Sequence, residues 1–307
     1  MATDGNLNLG YACINETLKK KKIRINRTFK KATLESKGLE HAGNIVEQNL
    51  KDLYEFLRWN AANNIRLFRL TGDLVPWGDT YGIENLPNYE KIQAIGKLCG
   101  DLAAKENIRL SLHPGQYCCL ASPTEDTVVK AIRALNFEGS IMDLLHQPRD
   151  HRAKINIHLG GVYGDKPGVY KRFLQAFDLL DDCAKTRLTV ENDDKASMYT
   201  TKELYDNIST VAGIPIVFDY HHHSLHNDGM SEQEALEMAL STWHGIRPTT
   251  HYSESALLER DGVKPQAHSF LVYSQINSYG HQFDCMVEAK GKELAVLGHR
   301  ERHGICA

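Results

Sequence analysis

IPIVFDYHHHS, residues 214–224, decides how this chain is read. A run of β-branched and aromatic residues of strand length ends in Asp219, and three consecutive histidines follow. Continuous apolar character without alternation belongs to a strand covered on both faces, as in a parallel sheet. An affinity tag does not explain the histidines, because tags sit at termini and this run is internal. The stretch therefore reads as a buried strand that delivers ionisable groups at its C-terminal end.

The same form recurs along the chain. Strand-like runs occupy 9–14, 65–70, 108–112, 154–159, 187–191, 214–219, 248–253 and 283–288. Between them lie helical stretches at 42–64, 89–107, 127–146, 169–185, 201–210 and 231–243; in the first, Ile45, Leu50, Leu53, Leu57 and Ala61 recur at helical spacing. Eight βα units with right-handed crossovers predict one α/β domain over residues 1–307, a (β/α)8 TIM barrel with its chemistry at the C-terminal ends of the strands. An open doubly wound sheet is the rival architecture, but no GxGxxG turn follows the first strand. No internal repeat, low-complexity stretch or linker divides the chain.

Composition sets limits. Hydrophobic content of 42% and charged content of 24% belong to an ordinary globular protein. No apolar run approaches the roughly 20 residues of a membrane span, and no signal peptide is evident. Seven cysteines without a CxxC pair read as reduced thiols in a cytoplasmic protein. The net charge of −3 does not point to nucleic acid, but its distribution does. KKKKIRINRTFKK, residues 19–31, holds eight basic residues and no acid. The plain reading is a solvated loop; the sharper one is a clamp on phosphates through Lys19, Lys20, Lys21, Lys22, Arg24 and Arg27.

The predicted strand ends share one chemistry. They deliver His113, His158, Glu191, Asp219, His222, His251 and Glu288, and AHSF adds His268. One such residue alone is usually a satisfied core or capping group. The pattern repeated at the same end of five or more strands is not. Gathered at one mouth, the carboxylates would repel unless cations lay between them. Imidazole and carboxylate together suit Zn²⁺, Mn²⁺ or Fe²⁺. His221 and His223 are expected to face the wall or solvent.

These residues carry a family resemblance. LGYACIN, NLKDLYEFLRWNAANNIRLFRLTGDLVPW, LSLHPGQY, INIHLGG, LTVEND, VFDYHHH, the HYS and AHS segments and MVEAKGKE occur in this order over nearly the whole chain. The chain resembles the UV damage endonucleases of the metal-dependent AP-endonuclease/xylose-isomerase-like barrel superfamily. The resemblance implies an enzyme that nicks double-stranded DNA immediately 5′ of cyclobutane pyrimidine dimers and 6-4 photoproducts. It makes the eight residues above ligands of two or three divalent cations, Mn²⁺ first among them, with Zn²⁺ or another transition metal as alternatives. It makes Gln116 and Tyr117 the pair that probes the damaged helix, and places Tyr11 and Asn15 near the lesion. Two positions depart from the family pattern. Thr249 stands where a lysine that can be carboxylated often lies, and LVPWGDT offers Asp79 and Thr80 where a histidine often follows.

Paired cations activate water and neutralise the attacking and leaving oxygens of a phosphodiester. Glu191, on the middle strand, is the expected bridge. His113 and His158 are expected to complete one site, Asp219, His251 and Glu288 a second, and His222 and His268 a third. An abasic-site endonuclease on the same core is the nearest alternative. A sugar isomerase or epimerase is more distant and has no use for the basic loop.

Overall fold

The computed structural model describes residues 7–115 and 117–305. Each predicted run overlaps a strand: β1 (Leu7–Ala12), β2 (Leu67–Arg69), β3 (Arg109–Ser111), β4 (Ile155–Ile157), β5 (Leu188–Glu191), β6 (Ile216–Val217), β7 (Thr249–Tyr252) and β8 (Phe283–Val287). The pairs are parallel and form two sheets, ordered β3-β2-β1-β8-β7 and β4-β5-β6. Single parallel bridges, Leu112 with Ile155 and Asp219 with His251, join the sheets at both seams. At the first, Leu112 N donates to Lys154 O at 3.0 Å and Asn156 N to Leu112 O at 3.0 Å. At the second, His251 N donates to Phe218 O at 2.8 Å.

Local chemistry explains the elements. At Gly10 in β1, a Cβ would lie 2.2 Å from Leu67 O, so only glycine lets β1 and β2 approach this closely. Asp165 accepts from Gly168 N at 3.0 Å and starts helix Lys166–Asp178, with Pro167 in its first turn. Thr200 and Ser231 form reciprocal capping boxes with Glu203 and Glu234, fixing the starts of Thr201–Leu204 and Glu232–Ser241.

Three of the departures of helix boundaries from the sequence expectation bear on the packing. The helix expected at 42–64 spans Lys31–Ala62 and is interrupted at Gly38, whose φ of 69° is not helical. Its predicted part begins where the buried stripe does, at Ala42, and continues through Val46, Leu50, Leu53 and Leu57. The stretch 169–185 divides into Lys166–Asp178 and Asp182–Lys185. A helix at Glu293–His303 escapes the apolar periodicity, because its buried face includes Glu293, His299 and Arg300 beside Ala295 and Val296.

The space between the strands is partly polar, and this positions the site. Lys154, Asn156, Thr189 and Glu191 are buried, and Asn156 links the last two: it accepts from Thr189 Oγ1 at 2.8 Å and donates to Glu191. Near the strands' N-terminal ends, Arg109 Nη1 donates to Asp284 Oδ2 at 2.9 Å. Trp243 is core, its indole donating to Ile216 O at 2.8 Å, whereas Trp77 is 39% exposed.

Candidate metal centre

Glu191 ends β5 and is 1% exposed. Its Oε2 lies 3.2 Å from His113 Nε2, 3.1 Å from His251 Nδ1 and 3.8 Å from His158 Nε2. Its Oε1 lies 3.4 Å from His222 Nδ1. Two sets of ligand atoms, each within 4.8 Å of one another, share this carboxylate: His113, His158 and Glu191, and Glu191, Asp219 and His251. Glu288 Oε1 adjoins the second set at 3.3 Å from His251 Nδ1 and is paired with Arg69.

Each imidazole is aimed by what holds its other nitrogen. His113 Nδ1 lies 3.1 Å from Pro114 O and His158 Nδ1 3.1 Å from Asp193 Oδ1, whereas His222 Nδ1, the nitrogen nearest Glu191, also lies 2.8 Å from Asn192 O. His268 Nδ1 is 3.2 Å from Glu288 O. His251 is reversed: Nε2 meets Lys154 Nζ at 3.2 Å, and Nδ1 faces the carboxylates. Engaging one ring nitrogen fixes orientation and leaves the other for a cation. Asp219 also caps the helix Tyr220–Leu225 through Oδ1, which accepts from His222 N at 2.8 Å. Its Oδ2 is buried without a hydrogen bond, and the buried His251 Nδ1 faces the carboxylates of Glu191 and Glu288. Such atoms are costly unless a ligand satisfies them, so these residues fit divalent cations.

Electrostatics agree. Burial raises Asp219 to about 7, helped by the neighbouring charges of Glu191 and Glu288. Burial opposes ionisation of Glu191, yet His251 and His158 hold it well below its ordinary range. Burial also disfavours charge on His158, but Glu191 and Asp193 outweigh it and raise the ring to about 10. Burial lowers His251 to about 4 and Lys154 to about 7. Glu288 is lowered because the Arg69 charge outweighs its burial.

The remaining expected residues fall into place unevenly. His222 and His268 line one cavity of about 400 Å³ with His158, Tyr117 and Lys195, but belong to neither close ligand set. His221 and His223 are buried in the wall, packed against His268 and Phe218 respectively. Tyr117 is 85% exposed at the cavity rim; Gln116 lies outside the described residues. Asp79 belongs to neither ligand set: it pairs with Arg133 at 3.0 Å, and Thr80 Oγ1 donates to Trp77 O.

Tyr11, Asn15 and Arg27 are engaged within the protein. Tyr11 and Asn15 are fully buried; the Tyr11 hydroxyl donates to Asn60 Oδ1 and accepts from Asn15 Nδ2, both at 2.8 Å. Asn15 also caps the helix Glu16–Lys20. They anchor the start of the basic segment and expose no surface to a ligand. Arg27 pairs with Asp52 at 2.7 Å and donates to backbone carbonyls, which makes it a brace of the loop. Lys19, Lys20, Lys21, Lys22 and Arg24 are exposed, with Lys19 paired to Glu16.

Sequence reasoning missed Asn156, Lys154, Asp193 and Arg69. The first two carried a signal: in KINIHL, Lys154 and Asn156 alternate with apolar residues in phase with His158, so they share its face. Asp193 and Arg69 gave none.

Parallel strands gathering histidines and carboxylates at their C-terminal ends define a class of α/β protein, and comparison with solved structures agrees. Endonuclease IV from Thermus thermophilus matches 97% of this chain and 100% of its own, with a TM-score of 0.58 at 12% identity, a likeness of fold. The crystal structure of SacUVDE matches far more closely: TM-score 0.84, 30% identity, 96% of this chain and 97% of that one. The UV DNA damage endonuclease of Clostridium perfringens is 31% identical over 95% of this chain and 69% of its own length. The UV-damage endonuclease of Schizosaccharomyces pombe is 35% identical over 94% of this chain, which spans 49% of that protein. The model of the family described as UV-endonuclease UvdE matches residues 7–301. The chain belongs to this family of UV-damage DNA repair endonucleases.

Proposed function

We propose that this chain hydrolyses the phosphodiester immediately 5′ of a UV photoproduct in double-stranded DNA. The two bridged sheets are read as one eight-stranded barrel, a single domain over 1–307. The observation that carries the reading is the sharing of Glu191 between two ligand sets, with the histidines presenting their second nitrogens inward. His113, His158 and Glu191 would hold one divalent cation, and Glu191, Asp219 and His251, with Glu288 beside them, a second. Mn²⁺ is the first choice, since this nitrogen and oxygen set also suits Zn²⁺ and Fe²⁺. His222 and His268 are assigned to a third, more weakly held cation, because Thr249 offers only a hydroxyl below His251. Bound cations would supply Lewis-acid stabilisation of the phosphoryl charge and lower the pKa of water.

The protein's own groups do the rest. Asn156 and the imidazoles hold Glu191 ionised and fixed. Tyr117, exposed at the rim, is assigned to fill the space left by unstacked bases, with Gln116 as its partner in the sequence. Lys19, Lys20, Lys21, Lys22 and Arg24 are assigned to the DNA backbone. The test is incision of duplexes carrying one defined pyrimidine dimer or one abasic site, with a panel of divalent metals. Cutting 5′ of the dimer is expected. Cutting confined to the abasic duplex would replace this reading with an abasic-site endonuclease, and absence of cutting with every metal would refute both.

A further inference from the structure

Four residues with bulky side chains adopt positive φ in the segments after β1, β2, β4 and β8: Cys13 (66°), Trp77 (61°), Tyr163 (55°) and Lys292 (54°). Seven others among the described residues have positive φ: Lys22 and Tyr279, and Asn64, Asn107, His146, Asp228 and His244, the last five of types that tolerate it. Lys292 is the most unusual. Its ψ of −126° puts it outside the left-handed helical region, in backbone territory that belongs to glycine. The preceding glycine has another duty: a Cβ at Gly291 would lie 2.5 Å from Phe270 O. The conformation is imposed from both sides. Gly291 N donates to Phe270 O at 2.8 Å, Lys292 N to Ala289 O at 3.1 Å, and helix Glu293–His303 begins at the next residue. A non-glycine residue persists in such a place when its surroundings over-determine it, and such sites cluster at functional positions.

The side chain gives the strain a use. Lys292 is half-buried, and among the described residues no hydrogen bond or ion pair reaches its ammonium. The charges acting on it come from Cys13, Arg69, Glu288 and Glu16. The two acids are already engaged, Glu288 with Arg69 and Glu16 with Lys19. Burial lowers the lysine's pKa, the sign of a cation held without a counterion. An uncompensated cation four residues beyond Glu288, beside the ends of β1 and β2, wants an oxyanion. In a DNA endonuclease the oxyanion at hand is a backbone phosphate.

We propose that Lys292 is a phosphate-binding catalytic residue whose ammonium receives a non-bridging oxygen of the damaged strand on the Glu288 side of the cluster, aimed there by its strained backbone. The proposal rests on the endonuclease reading. Lysine at this point neutralises phosphoryl charge without competing for a cation, and it makes no covalent bond.

Three variants separate backbone from charge. Lys292→Gly relieves the strain, and its Tm should rise on the order of 2 °C. Lys292→Met keeps the strain and the apolar stem, and its Tm should stay at the parent value or above. Both should lose about 100- to 1,000-fold in single-turnover incision of a photoproduct duplex with Mn²⁺, the range for removing one preorganised donor. Metal content should be unchanged. Lys292→Arg should recover most of the rate. Binding of the same duplex, followed by anisotropy against salt, should show the Lys292→Met slope reduced by about one. Incision by Lys292→Met within threefold of the parent, or a fall in Tm for Lys292→Gly, would overturn the proposal. A parent that binds the duplex but never cuts it would refute the endonuclease reading instead; Lys292 is then judged by the slope alone, and an unchanged slope overturns it.

Discussion

Asp193→Asn separates the two ligand sets with a change that replaces no candidate ligand. Asp193 is 6% exposed and its Oδ1 lies 3.1 Å from His158 Nδ1. An amide of the same shape keeps the packing and removes the charge that turns His158 Nε2 toward Glu191. Loss of such an outer partner typically costs 10- to 100-fold in metal affinity. That is about 1.4–2.7 kcal/mol. His251, aimed by Lys154 from another strand, should be untouched. Calorimetric titration of the metal-free protein with Mn²⁺ should therefore show one of two tight binding events weakened by that factor and the other unchanged. The metal-free protein offers a second measurement. His158 is raised from 6.5 to about 10, so its contribution to stability is fully present below pH 6.5 and is lost as pH rises through about 10. Asp193 supplies part of that shift, behind Glu191. Urea midpoints of parent and variant should differ most near pH 6 and converge near pH 10. Equal weakening of both binding events, or affinity within threefold of the parent at both, would refute the assignment of Asp193 to His158.

Glu191→Gln, by contrast, should weaken both binding events together and abolish incision while damaged-DNA binding largely survives; incision within tenfold of the parent rate at matched metal occupancy would remove Glu191 as the shared ligand. Neutralising Lys19, Lys20, Lys21 and Lys22 should weaken binding to damaged and intact duplex alike, reducing the slope of log K against log salt by roughly one for each phosphate no longer neutralised. An unchanged slope would turn the loop away from DNA. Tyr117→Ala should weaken capture of a photoproduct by about 5- to 150-fold, the equivalent of roughly 1–3 kcal/mol of stacking. The loss should be greater for a mildly distorting dimer than for a strongly distorting lesion, and equal losses would refute the wedge.

The strands were legible because burial on both faces writes itself as short apolar runs, and all eight runs overlap a strand. Their terminal ionisable residues were legible for the same reason: His158 and Glu191 stand out against Ile157 and Val190. The partners that aim them were harder to read. Lys154 reaches His251 from the start of β4, across 97 residues of sequence, and nothing local to either residue announces it. The burial of Tyr11 and Asn15 was not legible, because a motif locates a residue near a site without saying which way its side chain points. The ion pair of Arg27 was not legible either, because a basic run looks uniform until one of its members meets Asp52.

The two seams between the sheets acquire a second meaning from the ligand sets. Each seam is closed by a single bridge, the weakest form of strand pairing, and each ligand set straddles one of them. His113 follows β3 in the five-stranded sheet, while His158 and Glu191 belong with the three-stranded one. His251 belongs to the larger sheet, while Asp219, its own bridge partner, faces it from the smaller. A cation held in either set would then be a rivet as well as a reagent. The scaffold is least stitched by its backbone where the cargo would fasten it, so loss of the ions would slacken the frame along the same two lines on which the chemistry depends.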